Sequence, residues 1–329
     1  LLLSLGYTCA LIPFSAWGAE LVTDYHGRSR ITAWREGLTL VGTLIAIALP
    51  FVIGFETADG IHGLALLGII VLVPLPLVGA LTVIVVPEPV EHSRTRVDFR
   101  SGLAHIAGNR PFVRLIAAFF LNGLANGIPA TLFLYFVSAR LGLPDARGPL
   151  LVFYFLCAIA GVPLAALAAR RFGKHRAWCY AMLVACLSFA PAPLLPEGSL
   201  VAFAVICAIT GALLGFDLTL PPAIQADVID VDTAASGEQR SGTYFAAWSL
   251  ATKLSLAGGV GIVFPALALF GFDPGNTDPS DQAQTALAVA YAWVPIAAKL
   301  VAIALMWNFP LDEDAHKGLR ARIDTPQTG

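Results

Sequence analysis

The chain has 329 residues, 57% of them hydrophobic and only 13% charged, with a formal net charge of −2 and a mean hydropathy of +0.76. A soluble globular domain carries about 25% charged residues and about 45–50% apolar ones, and it must still cover itself with polar surface; this composition excludes a soluble fold and implies lipid as the solvent. No basic tract offers a nucleic-acid footprint, and the near-neutral charge says nothing about other partners.

A helix needs about 20 mainly apolar residues to cross a bilayer, and runs of that kind occur nine times, at 1–19, 36–54, 62–86, 113–139, 149–169, 177–195, 199–224, 243–270 and 284–308. They are too long, and too uniformly apolar, for barrel strands. The first run opens the chain without an initiating Met or a signal peptide, so an upstream portion is expected. Its connection to the second run carries Arg28, Arg30 and Arg35. The third run ends at Pro87 and Pro89, which stop a helix, and the following stretch, 87–112, is the longest connection and carries Arg94, Arg96, Arg100 and Arg110. The fourth run holds Asn122 and Asn126 beside Gly123, Gly127 and Pro129, and the connection after the fifth reads Arg170-Arg171-Phe172-Gly173-Lys174-His175-Arg176. The seventh run holds Asp217, the Gly211/Gly215 pair and Pro221-Pro222, and leads into an acidic connection with Asp227, Asp230, Asp232, Glu238 and Arg240. The eighth carries Trp248 and Lys253, the ninth Lys299, and the tail Lys317, Arg320 and Arg322.

The basic residues alternate. The first, third, fifth and seventh connections and the tail hold nearly all of them, while the alternate connections hold only Arg140 and Arg147. Positively charged connections stay on the cytoplasmic side, which puts the C-terminus inside and the start of the first run outside. Three further upstream helices would give twelve spans, with 87–112 as the linker between two six-helix halves. The expected organisation is therefore 1–86 as helices 4–6 of a first bundle, 87–112 as a central cytoplasmic loop, 113–308 as a complete second bundle and 309–329 as a cytoplasmic tail: an all-α integral membrane protein with nine of twelve helices present.

The five cysteines, Cys9, Cys157, Cys179, Cys186 and Cys207, lie in apolar runs with no CxxC spacing and read as packing residues. No histidine lies near a midplane, no GxSxG or HExxH occurs, and no GxxxxGK[ST] loop occurs; an intramembrane enzyme and a nucleotide-driven pump are therefore not expected, and neither is a metal centre or resident cofactor.

Two segments carry a specific likeness. Residues 12–36 read IPFSAWGAELVTDYHGRSRITAWRE and residues 218–253 read LTLPPAIQADVIDVDTAASGEQRSGTYFAAWSLATK. The first resembles the pattern P-[FY]-x-A-x-x-A-E-L-x-x-D-Y-x-x-R-[ST]-R, and the second L-P-x-x-x-A-D-V-I-D…G-E-x-R-x-G-x-[YF]-F, of the glycoside–pentoside–hexuronide:cation symporters, the melibiose-permease-like branch of the major facilitator superfamily. The 171–176 segment is similar to the basic loop motif of that superfamily. The resemblance implies a major-facilitator helical bundle working as a secondary carrier, moving a sugar or glycoside with H+ or Na+ by alternating access. The alternatives are a major-facilitator carrier of a non-sugar cargo, an organic anion or lysolipid-like molecule, and a fragment that does not transport. The expected partners are a small-molecule substrate and the lipid bilayer, with the protein a monomer in a bacterial-type inner (plasma) membrane.

By this resemblance Tyr7 and Thr8 fall on positions lining the sugar and cation sites, Lys253 coincides with the family's pocket lysine, and Arg35 matches a pocket arginine with a one-residue gap. The family's sodium- and sugar-binding aspartate falls on Leu11, which supplies no oxygen ligand, so a proton-coupled or uncoupled carrier is an equal expectation. Read from the residues alone, Lys253 sits ten positions into its run, about 15 Å deep, where a charge is costly and needs a reason; the alternative is snorkelling. Trp248, about 140° away on the same helix, borders the same cavity or simply packs. Asp217 is the expected charge partner of Lys253, while Lys299, in a last span that commonly lies at the periphery, reads as structural. Asn122 and Asn126 share one face and offer hydrogen bonds either to a substrate from a locally broken helix or to a neighbouring helix. At the cytoplasmic mouth, Asp24, Arg28 and Arg30 of one half and Asp227, Asp230 and Arg240 of the other are expected to form a gate by pairing acids with arginines, the alternative being a solvated acidic loop. The glycines at 211, 215, 258, 259 and 261 read as close-packing sites, and Pro221-Pro222 as a kink or helix end.

Overall fold

The computed structural model describes residues 2–22, 25–52, 68–69, 71–87, 106–236, 241–274 and 280–311, and among them every regular element is helical. In chain order these are α1 (Leu2–Glu20), α2 (Tyr25–Val52), α3 (Pro74–Val85), α4 (Arg110–Tyr135), α5 (Arg147–Phe172), α6 (Lys174–Phe189), α7 (Leu200–Ser236), α8 (Ser241–Ala268) and α9 (Asp281–Met306), with a π-helical turn at Phe136–Arg140. Each apolar run contains one of them. Six of the helices, all between Arg110 and Met306, are long and apolar enough to cross a membrane. Their outer faces carry side chains that water would not tolerate in such number, among them Val201, Leu254, Ile262 and Val301, all exposed. A surface this continuously apolar is one made to face lipid. The chain is a multi-pass helical membrane protein.

Local chemistry sets the helix ends. The Asn109 side chain accepts a hydrogen bond from Phe112 N at 3.1 Å and caps α4, and Ser280 Oγ accepts from Ala283 N at 3.3 Å and caps α9. A single residue, Gly173, separates α5 from α6; its φ of 79° lies where a side chain would be strained. Of the two sequence expectations for Pro221 and Pro222, a kink or a helix end, the end does not hold. The helix runs on to Ser236, about 55 Å in all, which exceeds the about 40–45 Å of a whole bilayer. Likewise α4 is continuous through Asn122, Gly123, Asn126 and Pro129, so the local break, one of the two readings of that segment, does not occur. Prolines persist inside membrane helices where neighbouring helices and side chains satisfy the freed backbone groups.

In the second bundle α4 packs on α8 and α9, α6 on α7 and α9, and α5 lies along α7. Small residues bring α5 and α7 together: a Cβ added at Gly161 would stand 1.8 Å from the Ala212 carbonyl oxygen, and one at Gly215 would stand 2.6 Å from the Gly161 carbonyl carbon. Gly258 and Gly259 make similar approaches to α4, whereas Gly261 faces open space. From the first half, α1 packs on α8, and α2 on α5 and α7, where Leu40, Ala158 and Val162 form a buried cluster. The domain limits expected at 87–112 lie largely outside the described residues.

Candidate functional site

Asp217, near the middle of α7, is the centre of a buried polar network. Its Oδ1 accepts a hydrogen bond from Trp178 Nε1 of α6 at 2.7 Å; its Oδ2 accepts one from Asn126 Nδ2 of α4 at 2.9 Å and stands 3.2 Å from Lys299 Nζ of α9. The Lys299 ammonium also donates to Asn122 Oδ1 at 2.5 Å. Four helices thus contribute one charge pair and its hydrogen-bonding shell. Both charged side chains are about one-tenth exposed, and a lone charge at such depth is expensive unless it is paired.

The network closes one end of a cavity of about 310 Å³ within the second bundle. From Asp217 the cavity runs along α7 to Phe203, fourteen residues or about 21 Å. Its walls are mainly apolar and aromatic, with Phe133, Tyr154, Phe155, Phe189, Phe203 and Tyr291 the bulkiest, and Lys299 and Asp217 both line it. Phe155 and Leu214 line the cavity and also pack against the cluster around Leu40 of α2, so the cavity borders the contact between the two halves. The cavity is thus mainly apolar along its length and charged at the end held by Asp217 and Lys299.

A second point of contact joins the halves directly. Lys253 Nζ of α8 donates a hydrogen bond to Thr8 Oγ1 of α1. Two residues predicted separately for a substrate pocket are thus brought together, while Asp217, the counter-ion expected for Lys253, is paired instead with Lys299. That correction has a plain geometric cause: Asp217 faces the interior of its own bundle, and Lys253 faces the other half. Lys299, expected to be peripheral, is 8% exposed and belongs to the core network. Trp248 is buried and stacks on Phe119 with ring centroids 3.7 Å apart. Tyr7, beside Thr8, is exposed. Asn122 and Asn126 both bond to neighbouring helices, and Asn126 also lines the cavity.

Toward the end of the bundle that holds the α1–α2 and α7–α8 connections, the halves close on each other, leaving a small recess lined by Ser15, Gly18, Thr32, Arg35, Pro222 and Phe245. Arg35 pairs with the adjacent Glu36 at 2.8 Å. Asp227 receives Lys174, the lysine of the 171–176 motif, at 2.5 Å, and both are almost fully buried. Asp230 is buried on the same helix and Arg30 is exposed. Asp24, Arg240 and the side chain of Arg28 lie outside the described residues, so of the expected gate the structure describes Arg30, Asp227 and Asp230. Sequence reasoning did not anticipate Trp178 in the interior network, neutral and without a motif, nor, at the closed end, Lys174 as the partner of Asp227; only the folded approach of α6 to α7 reveals both.

The described residues thus form a helical membrane bundle with a paired carboxylate and ammonium buried beside a cavity. Residues 1–313 match the family described as MFS/sugar transport protein, and the chain belongs to that family, within the major facilitator superfamily. Among its relatives is the sodium-dependent lysophosphatidylcholine symporter 1 of Homo sapiens, 22% identical over 94% of this chain and 63% of the relative. The sphingosine-1-phosphate transporter MFSD2B of Mus musculus is 22% identical over 90% of this chain and 64% of its own length. The inner membrane symporter YicJ of Escherichia coli K12 is 27% identical over 83% of this chain and 60% of its own length. All three are transporters, and the chain spans less than two thirds of each. They carry the resemblance as far as the superfamily, without singling out melibiose-type carriers.

Proposed function

We propose that this chain belongs to a secondary carrier whose cargo is an amphipathic molecule with one apolar chain and a charged headgroup, moved across the membrane by alternating access. The observation that carries the reading is the cavity bounded by Asp217 and Lys299: its aromatic walls take the chain, and the ion pair meets the headgroup. The lysolipid and sphingosine-1-phosphate cargoes of the two animal relatives favour the same class. The sugar expectation is weaker. A sugar presents hydroxyls around its whole ring, each needing a partner once buried, and the walls between Phe133 and Phe203 offer few.

In this reading Thr8 and Lys253 hold the two halves together on one side of the cargo path, and Lys174 with Asp227 stiffens the closed end of the second half. The coupling ion is H+ or Na+, and the working unit is a monomer. The membrane is a bacterial-type inner membrane, in keeping with the YicJ likeness, with the C-terminus on the cytoplasmic side by the distribution of arginines. Uptake of radiolabelled lysophosphatidylcholine, of a neutral glycoside and of a hexuronide by cells expressing the protein tests it. The expected result is uptake of the lysolipid alone, lost in Lys299→Gln. Uptake of the glycoside or hexuronide without the lysolipid overturns the reading.

A further inference from the structure

We infer that the outer flank of α6 and α9, at the end that holds the Gly173 turn, is a binding site for an anionic phospholipid of the adjoining leaflet, separate from any cargo. Along α6, Arg176, Tyr180, Leu183, Val184 and Leu187 follow one another at helical spacings on one face, and all are exposed. The stripe passes from a guanidinium through a phenol to three aliphatic side chains. A phospholipid presents its phosphate, its ester region and its acyl chain in the same order. A second arginine joins at the polar end. The Arg171 guanidinium lies over the Phe172 ring, 5.7 Å from its centroid, and that ring meets Tyr180 edge-on with centroids 5.6 Å apart. Arg171 of α5 and Arg176 of α6 thus flank one tyrosine.

The neighbouring helix completes the site. Trp307 of α9 meets Tyr180 edge-on with ring centroids 5.9 Å apart, and ten residues further along α6 the Trp293 indole of α9 donates to the Ala190 carbonyl at 3.1 Å. These contacts bracket about 15 Å of α6, a length over which Leu187 of α6 and Leu300 and Val301 of α9 are exposed. The main packing partners of α6 are α5, α7 and α9, all of the second bundle, and its remaining face is left for lipid. Tyrosine and tryptophan settle at headgroup level, and a guanidinium binds phosphate through paired N–H groups. Among the described residues, neither Arg171 nor Arg176 is in an ion pair. Two unpaired arginines favour a headgroup of net negative charge over a zwitterionic one, which brings its own cation to the same place. Asp312, Glu313 and Asp314 follow α9 in the chain and lie outside the described residues; they are the competing occupant.

The test places the whole chain in phosphatidylcholine nanodiscs that contain a small share of either brominated phosphatidylglycerol or brominated phosphatidylcholine, with the bromines high on the acyl chain. Bromine quenches indole fluorescence on contact, and the difference between the protein and its Trp307→Phe variant isolates the signal of Trp307. Brominated phosphatidylglycerol is expected to quench Trp307 with about fivefold or greater preference over brominated phosphatidylcholine, which is what one arginine near a membrane surface contributes. The preference is expected to shrink at high salt and to vanish in Arg171→Gln/Arg176→Gln, two exposed positions, while quenching by brominated phosphatidylcholine is unchanged. Equal quenching by the two lipids in the unaltered protein overturns the inference, and so does a preference that survives in the double variant. A preference that emerges only with Asp312→Asn, Glu313→Gln and Asp314→Asn would show that the chain's own tail takes the site, and overturns it as well.

Discussion

Lys299 and Asp217, 82 positions apart in the chain, meet at 3.2 Å inside a single bundle, and neither reaches across to the other half of the protein. Their pairing makes the polar end of the cavity a fixed feature of the second bundle.

Removing one partner of such a pair leaves a buried charge uncompensated, at a cost of about 3–5 kcal/mol. Asp217→Asn and Lys299→Met are each expected to lower thermal stability by that order. The double variant, with no charge left, is expected to recover most of the loss. Thermal melts of the four proteins in one detergent form the cycle; additive losses would show that the two side chains do not interact.

How much of this was legible beforehand follows from which property each residue displays in one dimension. Hydropathy marks the spans because lipid demands length and apolarity of every crossing: each of the nine runs holds a helix among the described residues, and six of these helices are long and apolar enough to cross. The end of α7 was not legible: Pro221-Pro222 and the acids at 227, 230 and 232 look like a stop, and the helix continues because its neighbours support it. Asn122 and Asn126 were found by their four-residue spacing. Lys253 and Asp217 were each singled out by charge at depth, but charge does not name its partner. That depends on which face of α7 turns inward, and Lys299 rather than Lys253 lies on that side. Trp178 has neither charge nor motif, so nothing short of the folded approach of α6 to α7 reveals its hydrogen bond to Asp217.

The α5–α7 contact tolerates no added methyl group. Gly161→Ala would place a Cβ 1.8 Å from the Ala212 carbonyl oxygen, and the expected loss is about 1–3 kcal/mol or more. Gly261→Ala, with nothing within 4 Å of the added atom, is expected to be neutral or to stabilise α8 by up to about 1 kcal/mol. Melting temperatures of the two variants check the contrast.

The closed contact between the halves can be trapped. A Cβ on Gly37 of α2 would lie 3.8 Å from Val162 Cγ1 of α5, in van der Waals contact, so thiols placed at these two positions would face each other across the helix contact. In a background with the five native cysteines, all free, replaced by alanine, Gly37→Cys/Val162→Cys is expected to cross-link on mild oxidation. The two halves would then stay joined after cleavage between α3 and α4, and separate with reductant. Fragments that separate without reductant would contradict this contact.

Gln225 of α7 is fully buried, and among the described residues neither Oε1 nor Nε2 has a hydrogen-bond partner. A buried polar group left unsatisfied costs about 1–3 kcal/mol. Gln225→Met, similar in shape and without the amide, is expected to raise the melting temperature; a lowered one would mean that the amide is satisfied in the folded protein.

The central claim, that the cavity from Asp217 to Phe203 receives the apolar chain of the cargo, is tested most directly by photolabelling with a lysophosphatidylcholine that carries a diazirine at the end of its acyl chain. With the headgroup at Lys299, the expected adducts fall on peptides containing Phe189 and Phe203, and they disappear when excess unlabelled lysolipid is added. Adducts confined to lipid-facing positions such as Leu187 and Val201, undiminished by competitor, would contradict it.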